Sequence, residues 1–189
     1  MKSVFDKEIF KEMILYISER CKDNPNFGSV HLNKILHYSD FFWYAENNES
    51  ISNETYIREK HGQIPKHLVA VRQELEQEGK LKLEEREHYN RTQKRPIVTT
   101  PIQYERLTNE QMELINKIIE AISGFSAYVV SEQIAHEDLS WQCLENGEEI
   151  PYETVFFRRK NRISDDSMKW ARDVVNEYEE SLGKPQGAF

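Results

Sequence analysis

The chain has 189 residues, of which 31% are charged and 38% hydrophobic, and its net charge is −8. That length suits one domain with a real core and an appended segment. The acidic balance opposes non-specific binding to nucleic acid or anionic lipid, so only a local basic patch can act in that direction. Cys21 and Cys143 are the only cysteines and lie far apart. No disulfide framework or zinc knuckle is expected, and a reducing, cytoplasmic setting follows. The N-terminus lacks the apolar stretch of a secretory signal, and no run approaches the roughly 20 residues that span a bilayer.

Helix 1 is expected from Ser3 to about Cys21, with Ser3 as cap and Asp6 in the first turn. Phe5, Ile9, Met13, Tyr16 and Ile17 form its stripe, with Phe10 and Ile14 beside it. Asp23–Gly28 has turn composition. Ser29–Glu46 then carries Leu32, Ile35, Leu36, Ser39, Phe42 and Trp43 at helical spacing, widened by Tyr38, Phe41, Tyr44 and Ala45. A helix apolar nearly all round is a buried one, so this helix should be the centre of the fold. Ser29 suits its N-cap, and Asn47 and Asn48 suit its end.

Asn47–Asn53 is a polar loop, and Glu54–Lys60 fits a short helix or a turn. His61-Gly62-Gln63-Ile64-Pro65 follows, with Pro65 placed to open a helix that runs to about Glu78 and stops at Gly79. Lys80–Glu84 alternates as a strand, Arg86–Arg95 reads as a charged loop, and Ile97–Tyr104 returns as an edge strand broken by Pro101. In Leu107-Thr108-Asn109-Glu110-Gln111-Met112, Thr108 and Gln111 form a capping box and Leu107 with Met112 a hydrophobic staple. The helix they open ends at Gly124, and Ser126 caps another to about His136. Glu137–Glu149 is loop-like. A basic run, Phe157–Arg162, precedes a C-terminal helix capped by Ser164. The expected fold class is mostly α: a compact helical domain over 1–157 with a small β-hairpin, and a basic linker and appended helix over 158–189 packed on or beside it.

No phosphate loop, HExxH or GxSxG is present, and no two of the six histidines share the i, i+4 spacing of a helical metal site. No metal and no cofactor are expected. Cys143 follows His136 by seven residues, but nothing nearby would orient such a pair for nucleophilic chemistry. The helix and hairpin of Pro65–Tyr104 have a winged-helix layout. If the hairpin is a wing, Arg91, Lys94 and Arg95 are the residues to meet phosphates. Against that, the recognition-helix position carries Glu74, Glu76 and Glu78.

Several short motifs in order resemble one family. Leu32, Lys34, Ile35, Leu36 and Tyr38 resemble the signature helix of the Panacea domain, the SocA-like antitoxins. His61–Pro65 is similar to that family's Tyr-Gly-Pro segment, with His61 in place of Tyr and Gln63 in place of Pro. Gly79-Lys80-Leu81 fits a helix end, Leu107-Thr108 a helix start, and Ala135-His136 with Trp141 the family's close. The resemblance spans about residues 5–157. It implies a non-enzymatic protein of bacteria or phages that neutralises a cognate toxin by direct binding, in one variant as an adaptor delivering the toxin to a protease. It places the partner surface at His61, Gly62, Gln63, Pro65, His136 and Trp141. The alternative is a winged-helix-like DNA-binding regulator, and the two roles coexist in an autoregulating antitoxin. No membrane partner is expected, and the sequence leaves the oligomeric state open.

Overall fold

A computed structural model describes residues 4–88, 91–136 and 139–156. The basic run and C-terminal helix expected beyond Phe156 lie outside the described residues. Helix α1 spans Lys7–Arg20. Asp6, not Ser3, caps it, its Oδ1 accepting from the N–H groups of Glu8 and Ile9 at 3.2 Å each. A carboxylate both satisfies free donors and opposes the helix dipole, so the start lies later than expected. Phe10, Met13, Ile14 and Ile17 are fully buried, as their spacing requires.

Helix α2, Ser29–Asn47, is the centre of the fold. It packs on α1, on one strand of each sheet and on three of the helical segments introduced below. Leu32, Ile35, Leu36, Ser39 and Phe41 are buried as expected, but so are Lys34, His37 and Asp40, while Phe42 is 43% exposed and Trp43 only half-buried. The buried polar groups are tolerated because partners are built for them. Lys34 Nζ donates to Gln63 O at 2.8 Å, and Ser39 Oγ donates to Ile35 O at 2.6 Å. Asn48, at φ 58°, ends the helix in the left-handed conformation its sequence suggested. Its N-cap is Gly28, with no side-chain bond. Ser29 is already helical, its hydroxyl donating to Lys94 O at 3.2 Å.

The segment expected to be a turn or short helix is strand β1, Tyr56–Glu59. It pairs antiparallel with β2, Gly62–Pro65, from Tyr56↔Pro65 to Glu59↔Gly62, and on its other edge with β5, Glu149–Ile150. Four-residue strands are too short to show a period, which is why the sequence did not reveal them. Pro65 therefore closes a strand rather than opening a helix. Helix α3, Leu68–Gln77, begins three residues later and ends at Gly79, whose φ of 68° completes a Schellman turn: Lys80 N donates to Leu75 O at 3.0 Å and Gly79 N to Glu76 O at 3.1 Å.

Strands β3, Leu81–His88, and β4, Arg91–Val98, form a hairpin, but its returning strand lies earlier than expected: pairing continues to His88↔Arg91 through the stretch read as a loop, and of the expected return over Ile97–Tyr104 only Ile97 and Val98 are in the strand. Helix α4, Asn109–Ile122, starts with the full capping box. Gln111 N donates to Thr108 Oγ1 at 3.2 Å, and Thr108 N to Gln111 Oε1 at 3.0 Å. The helix opened by Ser126 becomes π-helical over Val129–Ile134, Ala135 N donating to Val130 O five residues back. A short helix α5, Leu139–Gln142, β5 and a 3₁₀ turn at Tyr152–Phe156 follow. Two small antiparallel sheets beside the helices make the fold mixed α/β, not mostly α.

Candidate functional site

The turn between β1 and β2 is the corner where most of the residues singled out in the sequence meet. Gly62 has φ 102°, and a Cβ there would fall 2.2 Å from Lys34 Nζ and 2.8 Å from Ala135 Cβ. Only glycine fits between α2 and the π-helical segment. Lys34, 1% exposed, reaches up from α2 to the carbonyl of Gln63. Gln63 is itself fully buried, its Nε2 donating to Ala135 O at 3.4 Å. The corner is thus tied to the central helix and to the π-helical segment by buried polar contacts.

Above this base lies a layer facing solvent. His61, with 69% of its side chain exposed, places Nδ1 2.8 Å from Glu132 Oε1. The other carboxylate oxygen lies 3.6 Å from His136 Nδ1. The His61 contact and the nearby His136 hold the Glu132 carboxyl below its usual range. His136 Nε2 lies 3.0 Å from Lys60 O; since the carbonyl can only accept, the ring carries a proton there. The His136 ring stacks on Trp141 with centroids 3.8 Å apart, and Trp141 Nε1 donates to Glu59 O at 2.8 Å. Arg58 also lies over the Trp141 ring, its guanidinium carbon 4.1 Å from the centroid, and donates to Asn146. π-helical turns occur frequently at functional sites, because the extra residue re-aims side chains that a regular helix would point elsewhere.

The structure therefore gathers His61, Gly62, Gln63, His136 and Trp141, but in unequal roles. Gln63 is part of the buried base, so its side chain is not presented to a partner. Pro65 lies at the far end of β2, paired with Tyr56, and is not part of the corner. Of the signature residues on α2, Leu32 and Leu36 are core, Tyr38 is half-buried beside Phe42, and Lys34 connects the helix to the corner. Glu132 and Arg58 were missed. Glu132 precedes His136 by four residues, a spacing that puts both on one helical face. Arg58 left no signal, because its strand was not recognised.

A second polar cluster is internal. Asp40 is completely buried, accepting from Ser52 N at 2.9 Å, Ser52 Oγ at 2.6 Å and Tyr56 OH at 2.7 Å. Burial outweighs these bonds and pushes its pKa up to about 6. Nearby, Glu54 holds His67 Nδ1 at 2.7 Å and is also raised by burial. This network ties α2 to the start of β1 and to α3.

The hairpin is not a free wing. Arg95 is 1% exposed and donates to the carbonyls of Cys21, Lys22, Asn24 and Phe27, closing the C-terminus of α1 and the following turn. It has no surface to offer a phosphate. Arg91 and Lys94 are exposed, and Lys94 lies 3.7 Å from Glu85. Cys21 is buried, which raises its thiol pKa to about 12. Among the described residues no helix is long and apolar enough to cross a membrane.

No curated protein and no solved structure matches the chain. A family model described as antitoxin SocA-like, Panacea domain, matches residues 32–142. That interval runs from the first signature residue of α2 through the hairpin and the π-helical segment to α5, and so contains the whole corner. The chain belongs to the SocA-like antitoxin family, the Panacea domain proteins.

Proposed function

We propose that this protein neutralises a cognate toxin by direct, non-enzymatic binding, and that the toxin docks on the corner formed by His61, Glu132, His136 and Trp141. The observation that carries the reading is the two-layered construction of that corner. A rigid base of Gly62, Lys34 and Gln63 supports exposed polar and aromatic groups on an element family membership associates with toxin–antitoxin systems. Preorganised aromatic and charged groups make effective hot spots, since little side-chain entropy remains to be lost on binding. The acidic chain suits a basic toxin, whose encounter would be accelerated by charge opposition. Absence of turnover is part of the proposal. In its support, the ring of His136, the base of the Cys143–His136 pair considered above, is engaged by Lys60 O, Glu132 and Trp141.

The test is co-expression with the product of the adjacent open reading frame in a bacterial host. Growth arrest by that product alone, relieved by this chain, is the expected result. Following the toxin's level separates two routes: a stable toxin held in a complex indicates blocking, whereas a toxin that disappears only when a protease is present indicates delivery. Arrest not relieved by this chain, with both proteins produced, would overturn the reading.

A further inference from the structure

At the β1–β2 corner two polar atoms face each other with no hydrogen bond between them. Glu132 lies in the π-helical segment and His136 just beyond it. Glu132 Oε1 is satisfied: His61 Nδ1 lies 2.8 Å away, and Ser131 Oγ donates at 3.4 Å. Glu132 Oε2 faces His136 Nδ1 at 3.6 Å, which is too long for a hydrogen bond. The proton that His136 gives to Lys60 O sits on Nε2. In that tautomer Nδ1 is a lone pair, so two acceptors meet across the gap. A donor nitrogen fits between them, because it can lie about 2.9 Å, an ordinary hydrogen-bond length, from both.

The charge around the gap selects the donor. The bond from His61 and the nearby His136 hold the Glu132 carboxyl below its usual range, so it carries its charge. Among the described residues that carboxylate pairs with the two imidazoles and with no lysine or arginine. Arg58 is committed elsewhere at the corner, to the Trp141 ring and to Asn146, and Lys34 is committed beneath it, to Gln63 O. The Glu132 and His136 side chains are 28% and 23% exposed, so both reach solvent while most of each is shielded from it. Partial shielding preserves the attraction of a carboxylate for a cation. Both acceptors are also held in place. Stacking on Trp141 and the bond to Lys60 O fix the His136 ring, and His61 fixes the carboxylate. An incoming donor therefore meets groups already oriented, at little cost in side-chain entropy.

We propose that this gap receives the cationic end of one lysine or arginine of the toxin, whose N–H groups donate to Glu132 Oε2 and His136 Nδ1 together. The inference rests on the toxin-docking reading and names the atoms that select the partner. Glu132 sets the sign of the charge accepted, and His136 sets where the donor must lie. An acidic side chain at that point is repelled by the carboxylate, and an apolar one leaves two acceptors without a donor.

Calorimetric titration of the full chain with the toxin, the product of the adjacent open reading frame, tests this at low and high salt. Glu132→Gln keeps the shape of the side chain and removes its charge. It should weaken binding by about tenfold or more, the effect of losing a charge-assisted contact, and flatten the salt dependence. Its melting temperature should match wild type. Glu132→Lys should abolish binding, and a toxin with one particular lysine or arginine changed to glutamate should restore it. A purely structural Glu132 does not give that exchange, and scanning the toxin's lysines and arginines in this way shows which of the two residue types is used. The imidazole ¹⁵N resonance of His136 Nδ1 should be that of a lone pair in the free chain and should shift as toxin is added. Equal affinity of wild type and Glu132→Gln for a toxin that wild type neutralises would overturn the proposal and leave the docking reading standing. Failure of every toxin substitution to rescue Glu132→Lys, or a His136 Nδ1 that carries a proton with and without toxin, would overturn it as well. Binding abolished by EDTA and restored by Zn²⁺ would overturn it in favour of a shared metal ion. A toxin that wild type does not neutralise would overturn both readings.

Discussion

Replacing Arg95 with alanine separates a structural arginine from a phosphate-binding one. Its guanidinium donates to four backbone carbonyls between Cys21 and Phe27, at 2.5 Å for Asn24, 3.2 Å for Cys21 and 3.4 Å for Phe27, with Lys22 as the fourth. A hydrogen bond from a charged donor contributes roughly 1.5–3 kcal/mol before the cation's desolvation is subtracted. That desolvation is substantial, since burial lowers the Arg95 pKa. Alanine removes the donor and strands the carbonyls, some of which water can reach. The net loss should be about 3–4 kcal/mol, since each buried acceptor left unsatisfied costs roughly 1–3 kcal/mol. Against a total stability of roughly 5–15 kcal/mol, that is a large fraction. Urea unfolding followed by tryptophan fluorescence measures it, read from the midpoint at constant slope. Arg95→Lys should recover less than half, because one ammonium cannot bridge carbonyls on both sides of a planar fork. Stability within about 0.5 kcal/mol of wild type in Arg95→Ala would refute the reasoning, since surface substitutions fall in that band.

Asp40→Asn should change the pH dependence of stability. The Asp40 carboxyl sits at about 6, raised from 3.8 by burial. Its proton is therefore favoured in the folded state, so this contribution is complete below about pH 4 and lost as pH rises to about 6. Relative to Asp40→Asn, wild type should lose about 3 kcal/mol across that window, and a constant difference in urea midpoints from pH 4 to 7 would contradict this. Gly62→Ala should destabilise by at least about 2 kcal/mol, because a left-handed backbone is strained and Lys34 must move; an unchanged melting temperature would show the corner to be loose. Thr108→Ala should remove about 1 kcal/mol, restored by Thr108→Ser, as measured by chemical denaturation.

The helices were legible because their signals are local. The capping box at Thr108, the stop at Gly79 and the stripe of α1 all depend on residues within a few positions of one another. The centre of the fold was also legible, since α2 is apolar over most of its circumference. Its polar interior was not, because Lys34 and Asp40 are buried by partners 29 and 12 residues away, at Gln63 and Ser52. Arg95 failed for the same reason: a charged side chain in a charged hairpin reads as surface unless the carbonyls it closes, more than 60 residues earlier, are known to lie beneath it. The corner was half legible. Family resemblance brought His61, His136 and Trp141 together, but the depth of Gln63, the displacement of Pro65 and the bridging role of Glu132 follow from a sheet register that four-residue strands do not announce.

Measuring the affinity of the cognate toxin for the wild-type chain and for His61→Ala combined with Glu132→Ala tests the central claim most directly. Neither residue is buried in the core, so the variant should melt with the wild type. The toxin is the product of the adjacent open reading frame that the co-expression assay qualifies. The account predicts a dissociation constant raised at least about tenfold, equivalent to roughly 1.4 kcal/mol of lost binding, with the fold intact. Undiminished affinity in a folded variant would contradict it and move the docking surface away from the β1–β2 corner.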